Sequence, residues 1–220
     1  MPLALPSLPD QAERLVELGP LPDGGGHLGA AALRSAAADL AARTPAGALL
    51  VIHPRHLPPS AVAPHLRRSV RTRDGVVERE GFVVVDMPDV DEFAPTVSEP
   101  GADVYAVVGL DRGDDLANWS PAEGAPEIAG RGRTPLTLTE GLQWVLQAPE
   151  ALERNRCFMT IGSRLRKPDG SFDTRTPAVW ISNGTGRDGS QRRGAAKVGW
   201  CWWGNRHTWL GLGSAASRIA

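Results

Sequence analysis

Three apolar segments near the carboxyl end decide the fold: Cys157-Phe158-Met159-Thr160-Ile161, Ala178-Val179-Trp180-Ile181-Ser182 and Val198-Gly199-Trp200-Cys201-Trp202-Trp203. Each has the length and composition of a strand. Lys167-Pro168-Asp169-Gly170 supplies a turn between the first two, and a Gly/Arg/Ser stretch, Asn183 to Lys197, separates the last two. Strands joined in this way favour an antiparallel meander. Helical patterns lie mostly upstream. The chain is therefore expected to be α+β, with a mixed, mainly antiparallel sheet carrying helices on one face.

Upstream, Pro9 to Leu18 reads as a short amphipathic helix stopped by Gly19-Pro20, and Leu21 to His27 reads as a flexible connector. Residues 1–27 thus form an appendage to a single domain over 28–220. Leu28 to Arg43 is the best helix, rich in alanine. Ala48 to His53 and Asp103 to Leu110 have the continuous apolar character of buried strands. Val70 to Glu80 suggests a hairpin around Asp74-Gly75, and Phe82 to Asp86 a further strand. Pro54 to Pro64 is too rich in proline for regular structure, and acidic Pro88 to Pro100 reads as a surface loop. Ser120-Pro121-Ala122-Glu123 is a helix start, a capping hydroxyl followed by a glutamate three residues on, and a second start has Thr139 or Thr137 as cap with Glu140 in the first turn.

The 220 residues carry a net charge of −1 and are 41% hydrophobic and 22% charged. That balance fits an ordinary globular protein and gives no global field to steer nucleic acid. No apolar run approaches the roughly 18 residues of a membrane helix. The start, Met1-Pro2-Leu3-Ala4, lacks the features of a signal peptide, so a cytoplasmic location is expected. Two cysteines, Cys157 and Cys201, make no disulfide framework.

In that order along the chain, Arg133-Thr134-Pro135-Leu136-Thr137, Asn155-Arg156-Cys157-Phe158-Met159, Pro177 through Gly184 and Gly199 through Gly211 resemble the actinobacterial domain-of-unknown-function family 5701. The resemblance spans about residues 80–214 closely and the first third loosely. It implies a bacterial protein and brings no assigned activity. The Thr185 to Ala196 segment departs from the family pattern, whose connection here is shorter.

Gly199 to Gly211 holds four of the seven tryptophans, while the whole chain has one tyrosine and four phenylalanines. By strand alternation Trp200 and Trp202 share one face, with Cys201 and Trp203 on the other. These rings are either core packing or the wall of a pocket. Asn205-Arg206-His207-Thr208 follows in a glycine-flanked turn. Arg206 could grip a carboxylate or phosphate and His207 could move a proton, or both could be ordinary turn residues. Cys157 and Cys201 sit in apolar strands, where a free thiol behaves as a small hydrophobe. With His207 they lack the fourth ligand and the spacing of a metal site. Gly184-Thr185-Gly186-Arg187-Asp188-Gly189 matches a dinucleotide fingerprint only formally, because no apolar helix follows. Nothing calls for a cofactor.

The reading that joins these residues is a small-molecule-binding protein. Its pocket would be walled by Trp180, Trp200, Trp202 and Trp203, with Asn183 and Asn205 at its edge and Arg206 and His207 as the chemical pair. An enzyme of specialised metabolism is left open. The alternative is a non-catalytic interaction module, or a homodimer, using an exposed Trp-rich segment. Concavity separates them: a cleft of roughly 300 Å³ or more beside His207 favours a ligand, and a flat patch favours a protein partner.

Overall fold

A computed structural model describes residues 4–19 and 28–220. The connector expected at 21–27 lies outside the described residues. In chain order the elements are α1 (Leu8–Leu18), α2 (Ala30–Ala41), β1 (Leu49–Ile52), α3 (Pro59–Val62), β2 (Arg68–Thr72), β3 (Gly75–Arg79), β4 (Phe82–Val83), β5 (Phe93–Pro95) and β6 (Val104–Val108). Then come α4 (Pro121–Gly130), β7 (Thr134–Pro135), α5 (Leu138–Gln147), β8 (Cys157–Met159), β9 (Ser163–Leu165), β10 (Arg175–Ile181), β11 (Ala196–Trp202), β12 (Leu210–Leu212), β13 (Ser214–Ala215) and β14 (Ser217–Ile219). The architecture is α+β with mainly antiparallel sheets.

Eight strands form a three-stranded sheet ordered β1-β6-β14 and a five-stranded sheet ordered β12-β8-β10-β11-β4, and the other six pair as β2-β3, β5-β9 and β7-β13. The centre of the larger sheet is the antiparallel meander β8-β10-β11. Short strands flank it in parallel, β12 beside β8 and β4 beside β11. Helix α5 packs against β1 and β10 and so lies between the two sheets, and every one of its residues is buried.

The two helix starts form capping boxes at Ser120 and Thr137, with Glu123 and Glu140 returning to the cap amides. Helix α1 is capped by Ser7 and closed by left-handed Gly19. Its Leu8, Ala12 and Leu15 belong to the same buried cluster as the sheet residues, so it is part of the core rather than an appendage. Two segments are more ordered than their sequences suggest. Pro58 and Pro59 occupy the cap and first turn of α3, where a missing N–H costs nothing. In the acidic 88–100 stretch, Val90 and Phe93 are buried and β5 pairs with β9, so side-chain burial overrides the loop-like composition.

The outer edge of β1 is closed by side chains. Gln11 of α1 accepts from the Leu50 amide and donates to the Ala48 carbonyl, both at 2.8 Å. Gln143 of α5 does the same for the Ile52 amide and carbonyl, both at 2.8 Å. Both glutamines are fully buried, and each mimics a neighbouring strand.

Between the sheets Glu140 meets Arg218 of β14 in a two-pronged ion pair at 2.6 and 2.7 Å. The Tyr105 hydroxyl lies 3.2 Å from both Glu140 and Glu99. One hydroxyl proton cannot serve two carboxylates. Burial and the charge of Glu140 push the Glu99 carboxyl above the usual carboxylate range, so folding favours its protonated form. The stability this contributes is complete below the ordinary glutamate value of about 4.3 and is lost as pH rises through the higher folded value. Thermal melts of E99Q and the unsubstituted protein should therefore diverge as pH rises above the ordinary glutamate value, with E99Q gaining relative stability. Parallel curves would remove the shared-proton account.

Candidate functional site

Strand pairing decides which tryptophans can meet. In the β10–β11 ladder Trp180 stands opposite Lys197, Trp200 opposite Pro177 and Trp202 opposite Arg175. Opposed residues share a face and neighbours alternate, so Trp180 lies on one face while Trp200 and Trp202 lie on the other. Trp200 and Trp202 pack edge to face at 4.5 Å. Trp180 lies over Gly199, where a Cβ would come within 2.5 Å of its ring. This glycine is needed for the close approach. The Lys197 ammonium sits 5.2 Å from the Trp180 ring centre.

Trp180 and Trp209 meet edge to face at 6.1 Å. They wall a cleft of about 790 Å³ where β10 leaves the sheet. Cys157 and Ile181 line it, as do Ser182 and Asn183 from the end of β10. The β2–β3 hairpin folds over from one side and contributes Arg68, Ser69, Val70 and Arg71. The tight Glu153–Arg156 turn, with Asn155 at a φ of 63°, contributes Arg154 and Asn155. The β10–β11 connection contributes Arg193 and Gly194.

That connection is pinned from within. Buried Asp188 accepts from Ser182 at 2.7 Å and from Lys197 at 2.9 and 3.0 Å. Burial raises its pKa, but the bonds from Lys197 and Ser182 outweigh this and hold the carboxyl below its usual range. Gly194 packs against Val70, and its carbonyl accepts from Arg68 at 2.9 Å. The hairpin and the connection therefore close on each other at the cleft. The glycine-rich 184–189 segment forms short 3-10 turns with no α-helix behind it.

The other candidate residues lie elsewhere. Trp203 carries the guanidinium of Arg164 at 3.9 Å above its ring. Asn205 closes the turn after β11 through its amide to the Trp202 carbonyl at 3.0 Å. Arg206 is ion-paired with Glu123 at the start of α4. It lines a separate depression of about 420 Å³ with Asn118, Trp119 and Glu123. The Glu123 carboxyl falls to about 2, first through its bond from the Ser120 amide and then through Arg206. His207 packs edge to face on Trp209 at 5.7 Å, behind the cleft wall, and does not line the cleft. Its Nε2 is buried without a partner, and burial pulls its pKa down, which favours neutral imidazole. The structure thus brings Trp180 and Asn183 to one cavity. It separates them from Trp200, Trp202, Trp203, Asn205 and Arg206.

Burial pushes the thiol of Cys157 up, and that of Cys201 up to about 11. Both favour the neutral thiol, which is a poor nucleophile. Sequence reasoning passed over Trp209, Arg68 and Arg71 as site residues. Trp209 belongs to the aromatic block and was visible there. Arg68 has no local signal, because it reaches the cleft only once the hairpin has folded onto a segment 126 residues away.

Among the described residues no helix is long and apolar enough to cross a membrane. No curated protein and no solved structure matches this chain. A family model described as a family of unknown function, DUF5701, matches residues 14–220. With the match running through both sheets and all the cleft residues, the chain belongs to the DUF5701 family.

Proposed function

We propose that the protein binds a small organic molecule in the cleft between Trp180 and Trp209. The observation that carries this reading is a cavity of about 790 Å³ with two tryptophans in its wall. That volume is within the usual range for small-molecule sites, roughly 300–1,000 Å³. The rings offer a flat apolar surface, and Ser182, Asn183 and Asn155 offer polar contacts at the rim. His207 enters as the support behind Trp209. Arg206 is committed to Glu123 and takes no part. The reading is one of binding, since the only thiol in the cleft is held protonated.

Intrinsic tryptophan fluorescence, titrated against a panel of metabolites, tests this. A saturable shift is expected for at least one compound. Trp209→Ala should weaken that compound roughly tenfold or more through loss of one wall. Trp202→Ala should leave its affinity unchanged. A flat response across the panel, or equal losses in both variants, would refute the cleft.

One observation favours a second reading. Trp202 is 45% exposed, which is unusual for an indole and suits a surface that a protein partner covers. Concentration-dependent self-association in sedimentation experiments, abolished by Trp202→Ser, would support it. A monomer at all concentrations would remove the homodimer.

A further inference from the structure

The cleft combines its two indoles with an uncompensated set of positive charges. Arg68, Arg71, Arg154 and Arg193 all line it, and among the described residues no aspartate or glutamate does. Outside the cleft, eight of the other eighteen arginines carry an acidic partner. Arg34 pairs with Glu13, Arg112 with Asp114, Arg131 with Asp115, Arg175 with Asp89, Arg206 with Glu123 and Arg218 with Glu140. The chain as a whole holds 24 basic and 25 acidic residues, so counter-charges are plentiful. Among the described residues none of the four cleft arginines has one within ion-pair distance.

Arg68 is the inner member of the set. It is half-buried and its side chain reaches only carbonyl oxygens, those of Gly194 at 2.9 Å and Leu152 at 3.4 Å. A guanidinium has five N–H donors, so several remain unused. Burial also pulls its pKa down, a sign that its charge is poorly solvated. Its two bonds explain a part in tying β2 to the neighbouring loops. They do not explain Arg71, Arg154 and Arg193, which are exposed and whose side chains make no hydrogen bond among the described residues. A cluster of positive charge around one cavity attracts an anion of matching charge. Guanidinium forks suit the paired oxygens of phosphate and carboxylate.

Resting on the binding proposed above, we infer that the ligand is a polyanion. It carries two or more negative charges as phosphate or carboxylate groups, held by Arg68, Arg71, Arg154 and Arg193. A flat apolar portion lies against Trp180 and Trp209.

Isothermal titration with three probes tests this: inorganic pyrophosphate, citrate, and 2-naphthol, which is uncharged at neutral pH. Pyrophosphate or citrate should bind, and more weakly as salt is added. Binding of pyrophosphate alone assigns a phosphate ester, and of citrate alone a polycarboxylate. The Arg154→Ala/Arg193→Ala pair, which touches no internal hydrogen bond, should weaken the bound anion roughly tenfold or more. Arg68→Lys keeps the charge but loses the fork and should also weaken it. Arg131→Ala removes one positive charge outside the cleft and should change nothing. If 2-naphthol binds and neither anion does, the polyanion is wrong and the cleft remains a binding site. If no probe binds, both fall. An anion whose affinity ignores the double substitution sits elsewhere, and that too overturns the inference.

Discussion

Arg218→Ala is expected to cost about 3–5 kcal/mol of folding stability, the loss typical of breaking a buried ion pair from one side. A globular domain has only about 5–15 kcal/mol in total, so the variant would be marginal at best. The reason is what stays behind. Glu140 is fully buried, and Arg218 holds both of its oxygens. The same guanidinium also donates to Thr134 Oγ1 at 2.5 Å and to the Pro135 carbonyl at 3.0 Å. Without it the carboxylate keeps the Thr137 amide at 2.9 Å and a hydroxyl already shared with Glu99. Arg218→Lys should fall between the two, because one ammonium cannot span both oxygens. Urea denaturation followed by circular dichroism measures this. A loss under about 1 kcal/mol would show that water reaches the site and solvates the carboxylate left behind.

Gln143→Ala should be nearly as damaging, at about 2–6 kcal/mol. It orphans the buried amide and carbonyl of Ile52, at about 1–3 kcal/mol each. Gln143→Glu should do no better. It keeps the acceptor for the amide but loses the donor to the carbonyl and buries a charge. Gln11 offers a matched comparison at Leu50 and Ala48. The two positions cap different parts of one edge, so their effects should be close to additive. An exposed β1 edge would also be free to pair with another chain, and the variant is expected to aggregate more readily on partial denaturation. Unfolding midpoints like those of the unsubstituted protein would mean that water replaces the glutamine.

Much of the fold can be read from residues close together in the chain. The capping boxes at Ser120 and Thr137 are four-residue patterns; the first is present as read, and the second takes Thr137 of the two caps the sequence allows. The Asp74-Gly75 turn is likewise local, and the β2–β3 hairpin forms around it. The meander follows from strand length and from the order of the turns.

What was hidden depends on pairing across long distances. Alternation within β11 places Trp200 and Trp202 together, and they do meet. Alternation cannot say which residue of β10 stands opposite, and that register puts Trp180 on the other face. Arg206 looks free in the chain, but its partner Glu123 belongs to another element. No local pattern assigns a role to Gln11 and Gln143, and only the bare edge of β1 gives them a purpose. The meeting of the four cleft arginines was hidden for the same reason: they come from three separate segments of the chain.

The most direct measurement is the set of indole N–H signals in a two-dimensional nitrogen–proton spectrum of the labelled protein. Its seven tryptophans are few enough to assign by substitution. Titration with a panel of organic acids and phosphate esters should move the Trp180 and Trp209 signals together and saturably. Those of buried Trp144 and exposed Trp202 should stay in place. Shifts confined to Trp119 or Trp202, or none across the panel, would contradict the assignment of the cleft as the place where this protein works.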